Sequence, residues 1–353
     1  MNIVIRTDAS VHIGTGHVMR CLVLAKALKK NGHDVCFIAR AQQGDMVDFI
    51  SQQSFKVMKL KSPISPLVPQ NNSDYSAWLQ VSELDDANNS IALVDSADLI
   101  IIDHYGINAL WEQQVKTQLQ CHIMAIDDLV RAHSADIILD QTFSRQASEY
   151  MSATKNVLTG CQFALLAPRF SELRESASCK RLNITNPKVL ISMGGIDNPN
   201  ASLQVLHCLE LLPLKPFVTV LLGMRSPHYE KVKAFCQTRP EWITHIEFTH
   251  SMPELMLEHD LAIGAPGSTS WERACLGLPS IVVPLAENQQ KICSVLESVG
   301  AVLRVELNHI KDELLPAYHH ILDNWIAYQK INFSLCDGLG VQRVVQRIEH
   351  LFQ

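Results

Sequence analysis

Short apolar runs separated by helical segments recur along this chain, and that alternation decides what it can fold into. Residues 2–7, 34–39, 56–60, 99–103, 122–127 and 136–139 are strand-length and rich in Ile, Val and Leu. After the first run, Val18, Cys21, Leu22, Ala25 and Leu28 fall at helical spacing, and Asn31-Gly32 supplies a stop. Apolar strands joined by helices belong in a parallel sheet covered on both faces. A second series opens at 188–193, after Asn186-Pro187, and continues through 217–222, 243–248, 261–264, 280–283 and 301–305. A chain of 353 residues is long for one core. The expected fold is therefore α/β, with two doubly wound Rossmann-like domains, 1–180 and 181–353, facing each other across a cleft. The polar stretch 171–187 is the expected linker. The closing helix, about 341–352, can pack on either domain, including back on the N-terminal one. Ligands of open α/β sheets bind beyond the carboxyl ends of the strands, so the motifs there carry the functional reading.

The first is Gly14-Thr15-Gly16-His17, between the first strand and its helix. Such a turn presents backbone N–H groups to an anion. A helix dipole disfavours the imidazolium, so His17 is expected to accept a proton. The loop does not complete G-x-G-x-x-G, because Met19 holds the third glycine's place, and it lacks the lysine of a P-loop. A histidine at a helix start is also a common capping or surface residue; the glycines and Asp8 favour a ligand site. The second motif, Gly264-Ala265-Pro266-Gly267-Ser268-Thr269-Ser270-Trp271-Glu272, offers backbone donors and hydroxyls at a helix N-terminus, which suits a diphosphate. Glu272 can accept hydrogen bonds from ribose hydroxyls or serve the helix dipole. Asn288 and Gln289 lie in a polar loop whose amides can read a sugar. Gly194 and the Gly223-Met224 pair close two further strands and can border the site or simply turn the chain. Asp127-Asp128, at another strand end, can ligate a metal, orient a substrate or turn the chain, and Asp103-His104-Tyr105 is a similar strand-end cluster that can line the same cleft.

What is missing also narrows the function. No D-x-D, G-x-S-x-G or H-E-x-x-H occurs. The formal charge of −6 excludes a general nucleic-acid binder. No apolar run reaches bilayer length, and the N-terminus runs straight into a strand without the regions of a signal peptide, so a cytoplasmic protein is expected. Its 10 cysteines show no C-x-x-C spacing and read as reduced, buried small hydrophobes.

Taken in order, Gly14–His17 with Val18-Met19-Arg20-Cys21-Leu22, Asp103-His104-Tyr105-Gly106, Ile126-Asp127-Asp128-Leu129, Met193-Gly194-Gly195-Ile196-Asp197 and the Gly264–Glu272 loop resemble the pseudaminic-acid pathway hydrolases. These enzymes hydrolyse UDP-2,4-diacetamido-2,4,6-trideoxy-β-L-altropyranose. More distantly the chain resembles the MurG-type glycosyltransferases of GT-B arrangement. The resemblance implies His17 as general base and a sugar site with Asp8, Gly14, Thr15, Gly16, Tyr105, Asn288 and Gln289. It implies UDP held by Gly194, Gly223, Met224, Gly267, Ser268, Thr269, Ser270 and Glu272. It further implies a monomer that uses water, inverts the anomeric carbon, needs no metal or cofactor, and supplies a sugar for bacterial cell-surface glycans such as those of flagellin. A UDP-sugar glycosyltransferase, a hydrolysing 2-epimerase and a binding module without turnover are the competing readings. Residues 310–333, rich in histidine and aromatics, match no motif.

Overall fold

The computed structural model describes residues 1–71, 73–150 and 154–353. They form two compact units, residues 1–165 with 339–353, and residues 166–338.

Unit 1 is built on a parallel sheet of β1 (Asn2–Thr7), β2 (Asp34–Arg40), β3 (Lys56–Leu60), β4 (Leu99–Asp103), β5 (His122–Ile126), β6 (Ile137–Asp140) and β7 (Val157–Thr159). Their order across the sheet is β3-β2-β1-β4-β5-β6-β7. β4 is buried at every residue, as its unbroken apolar run requires. The first helix, Gly16–Lys30, buries Val18, Cys21, Leu22, Ala25 and Leu28 and ends as Gly32 turns at φ +86°. The closing helix, Gly340–His350, joins this unit: Val344 and Ile348 are fully buried in the same core as Leu24 and Leu28. Glu349 also meets Asn31 at 2.9 Å and His33 at 3.1 Å. Each buried side chain of this size contributes about 1.5–3 kcal/mol.

Unit 2 carries β8 (Lys188–Ser192), β9 (Phe217–Leu221), β10 (Ile243–Ile246), β11 (Leu261–Gly264), β12 (Ser280–Val282) and β13 (Val302–Arg304). Their order is β10-β9-β8-β11-β12-β13, again parallel throughout. In both sheets the chain runs outward to one edge, then returns to the other side of its first strand. β1 and β4 are thus neighbours, as are β8 and β11. These are the topological switch points where such sheets open a crevice at the strand ends. Two doubly wound α/β units agree with the sequence reading.

Two local expectations are corrected. The stretch 171–187 is not all linker, because Pro168–Ser178 is a helix that buries Phe170, Leu173 and Ala177. Its Arg174 donates to the carbonyls of Cys275 (2.9 Å) and Cys336 (2.6 Å), so the units divide at Leu166 and not near residue 180. Three-residue β7 and the helices Tyr75–Leu79 and Glu83–Ile91 are too short or too polar to announce themselves by periodicity. The unmatched 310–333 segment forms the helix Ile310–Asp323 and most of Trp325–Leu335, whose Tyr318, Ile321 and Trp325 are buried. Among the described residues no helix is long and apolar enough to cross a membrane. The cysteines are free, eight of them buried.

One polar cluster lies inside unit 1. Arg6, Asp8 and Asp86 are all fully buried. Arg6 donates to both oxygens of Asp8 (2.6 and 2.9 Å) and both of Asp86 (3.0 and 2.8 Å). Asp86 also receives Arg40 at 2.7 Å and the Trp111 indole at 3.0 Å. Burial opposes the Asp86 carboxylate, but Arg6 and Arg40 outweigh it and hold its carboxyl well below the usual range. Removing one member of such a set strands the others. Asp86→Asn should therefore lower the unfolding free energy of unit 1 by about 3–5 kcal/mol, measured by urea denaturation. An unchanged midpoint would contradict this account.

Candidate active site

The turn after β1 is closed by its own short-range bonds. The Ser10 hydroxyl accepts from the backbone N–H groups of His12 and Ile13, each at 3.2 Å, and Gly14 N–H donates to the Ser10 carbonyl at 3.0 Å. Gly14 sits at φ +79°, which glycine adopts without strain. A Cβ on Gly14 or Gly16 would meet nothing within 4 Å, so the loop borders open space. Thr15 is the N-cap, although its side chain makes no capping bond, and His17 is the second helical residue.

His17 is only 8% exposed. Its Nδ1 lies 2.6 Å from Oδ1 of Asp103, the last residue of β4. Arg20, one turn along the same helix, donates from Nε (2.5 Å) and Nη2 (2.6 Å) to the same carboxylate. Burial works against a charged Asp103, yet Arg20 and then His17 hold its carboxyl well below the usual range. An ionised carboxylate can only accept, so Nδ1 of His17 must donate. The 3.2 Å approach of Arg20 Nη2 to Nδ1 is then a contact between two donors and not a hydrogen bond. In its neutral form the ring then carries its lone pair on Nε2, as a general base requires.

Tyr105 meets the His17 ring edge-on at 4.7 Å and donates its hydroxyl to Asp128 at 2.8 Å. Burial pushes its phenol well above the ordinary value, so it serves as a neutral wall. Tyr75 and Trp78 extend that wall at 5.0 and 5.8 Å from Tyr105. Asp8 is a correction. It was expected at the sugar, but it is fully buried and gives its oxygens to Arg6 and to the Arg40 N–H (2.7 Å). Its role here is to anchor the loop that carries His17. Asp127 is likewise engaged by Arg131 (2.7 Å) and Tyr150 (3.1 Å).

At the second switch point Gly264 pairs with Ser192. A Cβ on Gly264 would strike the Ser192 carbonyl, so only glycine lets the strands approach. Gly267 at φ +151° starts the helix Ser268–Cys275, and a Cβ there would meet nothing within 4 Å. Ser268 and Thr269 are half-buried beside the free N–H groups of that helix end. Exposed Gly194 follows β8, and Gly223 with exposed Met224 follows β9. Because β9, β8 and β11 are adjacent, these residues and Gly267–Ser270 share one edge of unit 2. Glu272 has a buried Oε2 without a partner; burial pushes its carboxyl up to about 7, only partly offset by Arg273. Gln289 lies in the turn after β12 and accepts from Leu285 N–H at 2.8 Å, which leaves its NH2 group to donate. The side chain of Asn288 lies outside the described residues.

The structure thus brings Gly14–His17 and Tyr105 together in unit 1, and sets Gly194, Gly223, Met224 and Gly267–Ser270 along one edge of unit 2. Sequence reasoning missed Arg20 and the pairing of Asp103 with His17. Arg20, three residues after His17, was the available signal. Among the described residues no group of three or more His, Cys, Asp or Glu is placed to hold a metal ion.

Residues 193–324 match the glycosyltransferase family 28 C-terminal domain. The chain is 26% identical to the UDP-2,4-diacetamido-2,4,6-trideoxy-β-L-altropyranose hydrolase of Campylobacter jejuni, covering 85% of this chain and 97% of that one. It is 24% identical to the spore coat polysaccharide biosynthesis protein SpsG of Bacillus subtilis, over 100% and 99% of the two chains. Its structure is similar to that of Acinetobacter baumannii MurG, with a TM-score of 0.68, 17% identity and 99% of each chain covered. That likeness carries the fold and agrees with the GT-B expectation. The resemblance to the hydrolases, and distantly to MurG-type enzymes, holds. Together these findings support an enzyme acting on nucleotide sugars.

The carboxyl of Glu272, with a buried oxygen that has no partner, makes a sign-specific prediction. Its folded value near 7 lies above the roughly 4.3 of an unfolded chain. Charging it as pH rises between those values opposes folding. Glu272→Gln should match the parent near pH 4 and exceed it in stability above pH 7, by up to about 3 kcal/mol. Equal melting curves at both pH values would refute the buried, unpaired carboxylate.

Proposed function

We propose that this chain hydrolyses UDP-2,4-diacetamido-2,4,6-trideoxy-β-L-altropyranose to UDP and 2,4-diacetamido-2,4,6-trideoxy-L-altropyranose. The observation that carries the reading is the His17–Asp103 pair at 2.6 Å, which leaves Nε2 as a proton acceptor. The Campylobacter jejuni relative's activity and the match of motifs support the substrate.

In this mechanism Nε2 of His17 takes a proton from water as the water oxygen bonds to the anomeric carbon. The bond from that carbon to the UDP oxygen breaks on the opposite face, its electron pair leaves with UDP, and the configuration inverts. Asp103 stabilises the imidazolium as it forms and stays ionised. Glycosidases commonly need a second carboxyl to protonate a poor leaving group. UDP is already a stable anion, and donors at the helix end Gly267–Ser270 meet its developing charge. Glu272 accepts from the ribose, Gly194, Gly223 and Met224 border the nucleotide, and Tyr105, Gln289 and Asn288 contact the sugar. The steps call for neither metal nor cofactor.

A glycosyltransferase reading uses the same base on an acceptor hydroxyl, and the family 28 domain at residues 193–324 favours it. The two part on one experiment. Incubated with the UDP-sugar and no acceptor, the protein should yield one free sugar per UDP by NMR, with inverted C1. UDP release that waits for an acceptor would overturn hydrolysis. His17→Ala should retain UDP binding by calorimetry and lose about a hundredfold or more in kcat. Asp103→Asn should also lower kcat with little change in KM, because it frees the wrong tautomer. Unchanged turnover in His17→Ala would remove the histidine from the mechanism.

A further inference from the structure

Arg273 lies one turn into the helix Ser268–Cys275 and is 3% exposed. Among the described residues no carboxylate lies within ion-pair distance of it, and its Nε has no hydrogen-bond partner. Glu272, next in sequence, attracts it through space but makes no ion pair with it and keeps its own unpartnered oxygen. A buried cation with no carboxylate in direct contact is costly, which makes its persistence here informative. Its Nη2 donates to two atoms of the preceding loop, the Ala265 carbonyl and the Ser270 hydroxyl, each at 3.2 Å. The N–H of Gly267 reaches the same hydroxyl at 3.3 Å.

A serine hydroxyl has two acceptor lone pairs and one proton to give. At Ser270 both lone pairs face donors, from Arg273 and Gly267, so its proton is left for an acceptor outside this set. Ser270 therefore acts as a donor at a helix N-terminus, with a guanidinium directly behind it. A guanidinium with only neutral partners and the leftover donor call for the same thing, an anion seated on the loop.

We infer that Arg273 is a positioning residue for the diphosphate of the UDP-sugar, acting through Ser270 and the Ala265 carbonyl and supplying the positive charge beneath the loop. This rests on the reading that UDP lies at Gly267–Ser270. The guanidinium does not touch the phosphates. It orients the hydroxyl that does, and it offsets the charge that develops on UDP as the anomeric bond breaks.

The test is titration of the parent protein, Arg273→Met, Arg273→Lys, Ser270→Ala and the double variant with uridine, UMP and UDP, followed by NMR. The parent should bind UDP far more tightly than uridine. Arg273→Met should lose roughly 10–100-fold for UDP and less than about twofold for uridine. Arg273→Lys keeps the charge without the fork and should fall between. The double variant should lose less than the sum of the two single losses, since both act through one hydroxyl. Equal proportional losses for all three ligands would reduce Arg273 to a structural residue and overturn the inference. Should Arg273→Met fail to fold, Ser270→Ala decides: retention of the parent's preference for UDP overturns the inference, and its loss supports it. A parent protein with no preference for UDP over uridine overturns the underlying UDP reading, and this one with it.

Discussion

A carboxylate removed from water must be met by donors, and the one at Asp103 organises much of unit 1. It stands at the end of β4, fully buried, and receives Arg20 and His17 from a single helix face. Pairing of this kind fixes where that helix begins relative to the neighbouring strand. It also fixes which imidazole nitrogen holds the proton. The glycines before His17 follow from it, because the chain must turn sharply to deliver the helix start to the strand end. The fully buried Arg6–Asp8–Asp86 cluster secures the other end of the same loop, so both ends of the turn are tied to ion pairs out of solvent.

The two units repeat one geometric plan and fill it with different chemistry. Each reverses strand order beside its first strand, and each places its polar residues there. Unit 1 supplies an oriented imidazole with an aromatic wall. Unit 2 supplies a glycine-led helix end, serine hydroxyls and a buried guanidinium. A fold of this class does not choose between these uses; the side chains at the switch points do.

Most of the architecture was legible in the sequence because its strands are apolar on both faces and so stand out as runs. The central strands β1, β4 and β11 were read to the residue. What was not legible depended on contacts between distant residues. Asp103 was visible as a strand end, but its partner is 86 positions away and becomes a neighbour only once β4 lies beside β1. Asp8 looked like a ligand residue because nothing local reveals that Arg6 and the distant Arg40 N–H will claim its oxygens. Residues 171–178 of the helix Pro168–Ser178 read as linker because only Leu173 and Ala177 among them are buried and the rest are polar. Gly14–His17 and Gly267–Ser270 were legible because tight backbone geometry leaves a local mark in glycine.

The helix Gly340–His350 belongs to unit 1, although 173 residues of unit 2, residues 166–338, come before it in the chain. During synthesis, residues 1–165 therefore emerge with a hydrophobic face still uncovered, opposite the positions that Val344 and Ile348 will occupy. Unit 2 is contiguous and can close its core before the last helix of unit 1 has been made. The domain that carries the proposed base is the last to be completed, because one of its two core clusters waits for that helix.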